Sequence, residues 1–248
     1  MSIFLLFFIL FQQMKFTAED IQAGQILLVD KPLDWTSFNA VNKIKWKLKR
    51  EFKLKKVKVG HAGTLDPRAT GLLVICTGKA TKQIPQIQDA SKEYWAEIKI
   101  GVQTESYDTE KPEILPQDIS GITEANIHDA LKKFLGEIDQ KPPIFSALKV
   151  DGKRAYDLAR AGQEVDIKIR KTTIHYIDRV EINLPYVSFY VGCSKGTYIR
   201  SLAHDIGQEL GVGAYLTQLR RTKIGEYAIE NATADYLENE YRFGDTEE

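Results

Sequence analysis

The sequence predicts an α+β fold built on a central, largely antiparallel mixed sheet flanked by helices and basic loops. Three observations carry this prediction. Runs with strand character recur without the strict strand–helix alternation of a doubly wound sheet, and several follow one another between residues 164 and 193. Tyr94-Trp95-Ala96-Glu97-Ile98-Lys99-Ile100 alternates with period two, as a strand with one buried face does. A chain of 248 residues, 43% apolar and without internal repeat or low-complexity linker, is enough for one large domain with a substantial core.

In chain order, Ile26-Leu27-Leu28-Val29-Asp30 reads as a short buried strand ending at Lys31-Pro32. Thr36 or Ser37 can cap a following helix that carries Val41, Ile44 and Leu48 on its apolar face and lysines around the others. Residues 57–59 enter a glycine-rich segment as a strand, and 71–76 form another, closed by Gly78. After the 94–100 strand, residues 123–135 read as a helix with Ile127, Ala130, Leu131 and Phe134 on one side. Lys141-Pro142-Pro143 cannot continue a helix and opens a long loop, in which 156–161 forms a short helix closed by Gly162. Strands are expected at 164–169, 172–182, 186–193 and 226–230, interrupted by a helix from Tyr198 or Ile199 to Leu210. The folded domain is placed at residues 14–228, with an inserted basic loop at about 141–163. A short acidic tail follows at 229–248.

The formal net charge of zero hides an asymmetry. Between Lys43 and Lys58 nine basic residues face Glu51 alone, whereas from Glu226 onward eight acids face Arg242 alone. Such a local potential suits a polyanion, although a solvated lysine-rich helix and a solubilising tail have the same composition. Cys76 and Cys193 form no CxxC pair and read as buried free thiols in a reducing, cytoplasmic setting. Histidines at 61, 128, 175 and 204 lack metal-ligand spacing, so no metal is expected. The apolar run Ile3–Phe11 is shorter than the roughly 20 residues a membrane helix needs. It also lacks the flanks of a signal peptide. Met14 is read as the biological start, with residues 1–13 an extension; a weak membrane anchor is the alternative.

The densest cluster of special residues is Gly60-His61-Ala62-Gly63-Thr64-Leu65-Asp66-Pro67-Arg68-Ala69-Thr70-Gly71. Three glycines in twelve residues imply turns or a close approach to a ligand. Pro67 biases Asp66 toward an extended backbone and removes a donor after it. From the residues alone this is either a rigidly presented carboxylate or a turn whose aspartate caps its own backbone.

The segment resembles the signature loop of the TruB family of tRNA pseudouridine synthases, and further blocks resemble the family in the same order. They are Asp30-Lys31-Pro32 with Thr36-Ser37, Lys92-Glu93-Tyr94, Pro142-Pro143 through Ser146-Ala147-Leu148-Lys149, and Gly152-Lys153-Arg154-Ala155-Tyr156. Gly196-Thr197-Tyr198-Ile199-Arg200-Ser201-Leu202 and Leu219-Arg220-Arg221 with Gly225 complete the set, so the resemblance spans residues 26 to about 228. Ala62, Asp34 and Arg68 depart from the family's usual Thr, Gly and Leu. The residues after Gly225 are too few for the full RNA-binding PUA domain that many members append.

The resemblance implies a pseudouridine-synthase-like catalytic domain with RNA-binding loops, isomerising the T-loop uridine at tRNA position 55. Asp66 would be the essential carboxylate, acting as a nucleophile or as a charge beside an oxocarbenium-like species. Arg200 would pair with Asp66 and aim it, Tyr94 would stack on the uracil, and Leu219 would wall the pocket. Asp108 would support the Arg200 network, with Tyr198 also on the substrate side. His61 would fill the place the flipped base leaves. Lys31, the lysines of 43–58, and Lys149, Lys153, Arg154 and Arg160 would meet phosphates. The reaction needs no cofactor, and a monomer with tRNA as its partner and no obligatory protein partner is expected. An RNA chaperone that binds tRNA without chemistry is the reading from another class.

Overall fold

The computed structural model describes residues 16–146, 148–150, 153–154, 167–232 and 237. Thr17 caps the short helix α1 (Ala18–Ala23), and strand β1 (Ile26–Lys31) follows with strictly alternating burial. Thr36 then opens α2 (Ser37–Glu51) through a reciprocal capping box with Asn39, and the helix buries Val41, Ile44 and Leu48 as its periodicity predicts. Strands β2 (Val59–His61) and β3 (Ala69–Thr77) bracket the glycine-rich segment. A 3-10 turn at Gly78–Gln83 runs into α3 (Ile84–Asp89), and β4 (Lys92–Ile100) is the predicted alternating strand. Two small strands, β5 (Gln103–Thr104) and β6 (Glu113–Ile114), precede α4 (Glu124–Lys132), capped by Thr123. That helix stops three residues short of Leu135, where the chain tightens into turns.

Next come β7 (Gly136–Gln140), the small ribbon of β8 (Lys149–Val150) and β9 (Lys153–Arg154), β10 (Arg170–Asn183) and β11 (Tyr186–Cys193). Helix α5 (Ile199–Glu209), strand β12 (Ala214–Ile224) and β13 (Tyr227–Ala228) follow. Residues 167–169 are not strand, contrary to expectation; β10 starts at Arg170. Strand expected over 226–230 is reduced to β13, because Ile229–Asn231 turns into a 3-10 helix. The helix expected at 156–161 and the extension at 1–13 lie outside the described residues.

One sheet organises the molecule, in the order β1-β3-β12-β4-β11-β10-β7, with β2 also on β3 and β13 also on β12. Every pairing in it is antiparallel except β3 with β12, so the sheet is mixed and largely antiparallel as predicted. Strand β12, at the middle of the sheet, is not foreseen from the sequence. Its ladder with β4 carries register shifts after Leu216 and after Arg221, which scramble the period-two pattern that would reveal it. Strand β7 escapes sequence reading for another reason: Gly-Glu-Ile-Asp-Gln is a polar edge strand.

The core divides along the sheet. Ile98, Val187, Phe189 and Val191 pack with Ile127 and Leu131 of α4 and with Leu202 and Ile206 of α5. At the β1–β3 end, Leu73 and Ile75 join Ile44 and Leu48 of α2, while Leu72, Val74 and Cys76 pack with Ala80 and Ile87 on the other face. Strand β3 is thus buried on both faces, which explains its unbroken apolar run.

Candidate active site

The parallel seam between β3 and β12 builds the site. Strand β12 touches β3 only at Leu219–Arg221 beside Ala69–Gly71, and β2 takes the same edge further on at residues 75–77. The loop 62–68 crosses the gap between them. Gly71 sits at φ +98°, and a Cβ there would stand 2.4 Å from the Arg221 carbonyl oxygen, so only glycine lets the two strands meet.

The loop is pinned from three sides. Ser37, at the start of α2, accepts from the Leu65 amide at 2.8 Å and donates to the Leu65 carbonyl at 3.1 Å. The Asp34 amide donates to the Pro67 carbonyl at 2.9 Å. Arg221, almost fully buried, spreads its guanidinium over the Leu72, Gly63 and Thr64 carbonyls at 2.8, 3.1 and 3.4 Å. Where β12 leaves β3, this side chain supplies the donors that the ladder no longer does. The sequence offers Arg221 only as one member of a matched block. The signal that could have exposed it is β alternation, which puts it on the same face as Leu219.

So held, Asp66 points its carboxylate at Arg200, with Oδ2 2.9 Å from Nη2. Arg200 is 5% exposed and Asp66 43%. Behind the guanidinium stands Asp108, 5% exposed, at 3.4 Å, itself held by the Ser106 hydroxyl at 2.6 Å and the Glu110 amide at 2.9 Å. A buried arginine between two carboxylates leaves one formal negative charge, and the accessible carboxylate is Asp66. A buried charge needs such partners to be tolerated. Asp108 is therefore in the network behind the site, out of a substrate's reach.

In front of Asp66 opens a cleft of about 730 Å³, lined by Tyr94, Tyr198, Leu219, Arg221 and Arg200 among others. That volume suits one bound small molecule or nucleotide. Burial raises the pKa of the Tyr94 phenol, keeping it neutral, with the Arg221 charge working the other way. Tyr198 caps α5 and is clamped by Gln140, which accepts from its amide at 2.8 Å and donates to its carbonyl at 3.1 Å. His61 ends β2 at the loop's entry, half-buried, with Nδ1 unpartnered among the described residues; burial lowers its pKa and favours the neutral ring.

Lys31 departs from expectation. It is fully buried, and its Nζ donates to the Pro32 and Trp35 carbonyls at 2.8 and 2.6 Å, closing the turn before α2. Burial brings its pKa down to about 8, opposed first by the Asp66 charge. The ammonium braces the loop region and offers no face to a phosphate. Lys149 and Arg154 are register partners in the β8–β9 ribbon, while Arg160 lies outside the described residues. Asp34 and Arg68, two of the family-atypical positions, pair with each other at 3.0 Å across the mouth of the loop. Asp34 has φ +64°, a conformation that suits the glycine usual there.

Among the described residues no helix is long and apolar enough to cross a membrane, and no cluster of His, Cys, Asp and Glu could hold a metal. Comparison with known proteins agrees with the geometry. The pattern described as "TruB family pseudouridylate synthase (N terminal domain)" matches residues 49–199, and "tRNA pseudouridylate synthase B C-terminal domain" matches 200–248. A Flavobacterium johnsoniae protein named tRNA pseudouridine synthase B is 56% identical over 219 residues, covering 87% of this chain and 95% of the relative. A protein of the same name from Parabacteroides distasonis is 52% identical over 211 residues, 85% and 90% of the two chains. Among solved structures, a chain of a Cbf5-Nop10-Gar1 complex superposes with a TM-score of 0.61 at 34% identity, over 87% of this chain and 56% of that one. Carboxylate, buried arginine, cleft and sequence kinship agree, and the chain belongs to the TruB family of pseudouridylate synthases.

Proposed function

We propose that this protein isomerises the T-loop uridine of tRNA, position 55, to pseudouridine. The observation that carries the proposal is Asp66, held 2.9 Å from the buried Arg200 at the floor of a cleft lined by Tyr94 and Leu219. In the reaction the N1–C1′ bond breaks, the uracil turns, and a C5–C1′ bond forms, while the C5 hydrogen leaves and N1 gains one. Nothing is oxidised or reduced, so the residues hold, orient and stabilise, and the Tyr94 phenol relays the proton that leaves C5.

Asp66 supplies negative charge on the ribose side of the base, as attacking group or as counter-charge to a cationic sugar. Tyr94 and Leu219 offer the two apolar contacts that a base out of its stack requires, offsetting an unstacking cost of a few kcal/mol. His61, beside the loop, faces the RNA rather than the reacting atoms. The ribbon that carries Lys149 and Arg154 takes the phosphate contacts assigned to it from the sequence. The protein acts as a monomer in the cytoplasm with tRNA as its partner and without a cofactor.

The test is product formation on an unmodified tRNA transcript by wild type and Asp66→Asn, with tRNA binding measured alongside. Wild type forms pseudouridine at the T-loop uridine; the variant binds tRNA and loses at least about a thousandfold in rate. Binding by both without product from either overturns the proposal and leaves the RNA chaperone.

A further inference from the structure

A second basic feature lies outside the cleft. A concavity of about 1080 Å³ opens between the C-terminal half of α2, the loop after it and the 3-10 turn that follows β3. Eight lysines line it: Lys45 and Lys49 come from α2, four from the segment between Lys53 and Lys58, and Lys79 and Lys82 from the turn. Its lining contains no carboxylate, and every one of these lysines is exposed. The two stretches, some twenty residues apart in sequence, are joined where the Gly78 amide donates to the Lys58 carbonyl at 2.9 Å. Lys79 and Lys82 do not belong to the basic run visible in the sequence; the fold adds them to it.

A surface with eight like charges converging on one hollow repels itself, and the folded state bears that repulsion without an internal counter-charge among the lining residues. The phosphates of a polyanion neutralise it, and the cations condensed on that polyanion are released as they bind, which makes the binding salt-dependent. The hollow also lies close to the chemistry, since the three residues of β2 lead from Lys58 to His61, a path of about 10 Å. From the turn, α3 descends to Gln88 and Asp89 on the rim of the catalytic cleft.

We infer that this lysine basin is a second phosphate-binding surface, which holds the sugar–phosphate backbone of the substrate RNA outside the catalytic cleft. The inference rests on RNA as the substrate. It assigns to the basin a share of the affinity and of the salt dependence of binding, beside that of the Lys149–Arg154 ribbon, and leaves the chemistry to Asp66 and its neighbours.

The test uses the full chain with Lys79→Ala/Lys82→Ala and with Lys79→Arg/Lys82→Arg, all sites on the exposed surface. The Kd for an unmodified tRNA transcript is measured across a salt series, together with kcat and KM. For the alanine pair, binding near physiological salt weakens about tenfold or more, and the slope of log affinity against log salt falls by about 1.5. The loss falls on KM rather than kcat, and the arginine pair restores both quantities. An unchanged slope and KM overturn the inference and turn attention to the acidic residues after Leu237, which shares an apolar cluster with Leu54 and Val57 beside the basin. Wild type that binds tRNA with a steep salt slope but forms no pseudouridine would sink the proposed function and leave the basin standing.

Discussion

At the scale of single residues, two arginines divide the work of the site. Arg200 meets carboxylates, with Asp108 as fixed counter-charge and Asp66 as the group left free to act. Arg221 meets the Leu72, Gly63 and Thr64 carbonyls and the Tyr94 phenol, and its role is positional: it sets where Gly63 and Thr64 run and hence where Asp66 points. Lysine keeps the charge but loses the planar fork that reaches three carbonyls at once. Arg221→Lys is therefore expected to fold, to bind tRNA nearly as wild type does, and to lose about 100-fold in kcat, as a displacement of about 1 Å costs. Parallel kcat and KM measurements check this; a rise in KM with kcat intact would reassign Arg221 to substrate binding. Asp66 and Arg200 are legible in the sequence because the Gly-rich and Tyr-Ile-Arg blocks are distinctive. Lys31 misleads because a lysine beside a proline turn looks exposed, whereas the turn's own carbonyls draw its ammonium inward.

At the scale of elements, the site depends on how closely two strands run. Gly71 and Gly196 separate the two costs that a side chain can incur at positive φ. Gly196, at φ +80°, has open space where a Cβ would stand, so Gly196→Ala should cost about 1 to 2 kcal/mol, the strain of that conformation. Gly71→Ala adds a collision with the Arg221 backbone at 2.4 Å and should cost clearly more, about 4 kcal/mol, or prevent folding. Urea denaturation of both variants compares them, and equal losses would mean that the seam gives way easily. Most elements can be read from pattern: α2 from its capping box and apolar stripe, β4 from alternation, β11 from its apolar run. Strand β12 cannot, since its bulges break the period and its arginines mimic a surface. With β12 goes the seam, and with the seam the reason for Gly71.

For the whole molecule, buried titratable groups predict how stability follows pH. Burial raises the Asp205 carboxyl to about 6, above its ordinary 3.8, so the folded state holds a proton that the unfolded state has released. Its contribution is complete below about pH 4 and is lost as pH rises through 6. Lys31 runs the other way: lowered to about 8 from 10.5, it costs stability at neutral pH, and that cost is removed as pH climbs from 8 to 10.5. Thermal midpoints measured from pH 4 to 10 should therefore carry a falling contribution from Asp205 on the acid side and a rising one from Lys31 on the alkaline side. The first is opposed by His61 and His204, whose burial cost is removed as pH rises to 6.5. Asp205→Asn should flatten the first trend alone; a variant that keeps it would place the titration elsewhere.

The central strand has a last consequence, for synthesis. Strand β12 enters the sheet between β3 and β4, elements laid down more than a hundred residues earlier, and it brings Leu219 and Arg221 to a loop made at residues 62–68. A chain emerging from the ribosome at about 5–20 residues per second carries its aspartate for several seconds before the strand that anchors it exists. During that time β3 and β4 lack the strand that joins them, and the 62–68 loop lacks the Arg221 donors that hold its Gly63 and Thr64 carbonyls. The chain therefore acquires the arrangement around Asp66 only when one late strand closes the gap between β3 and β4.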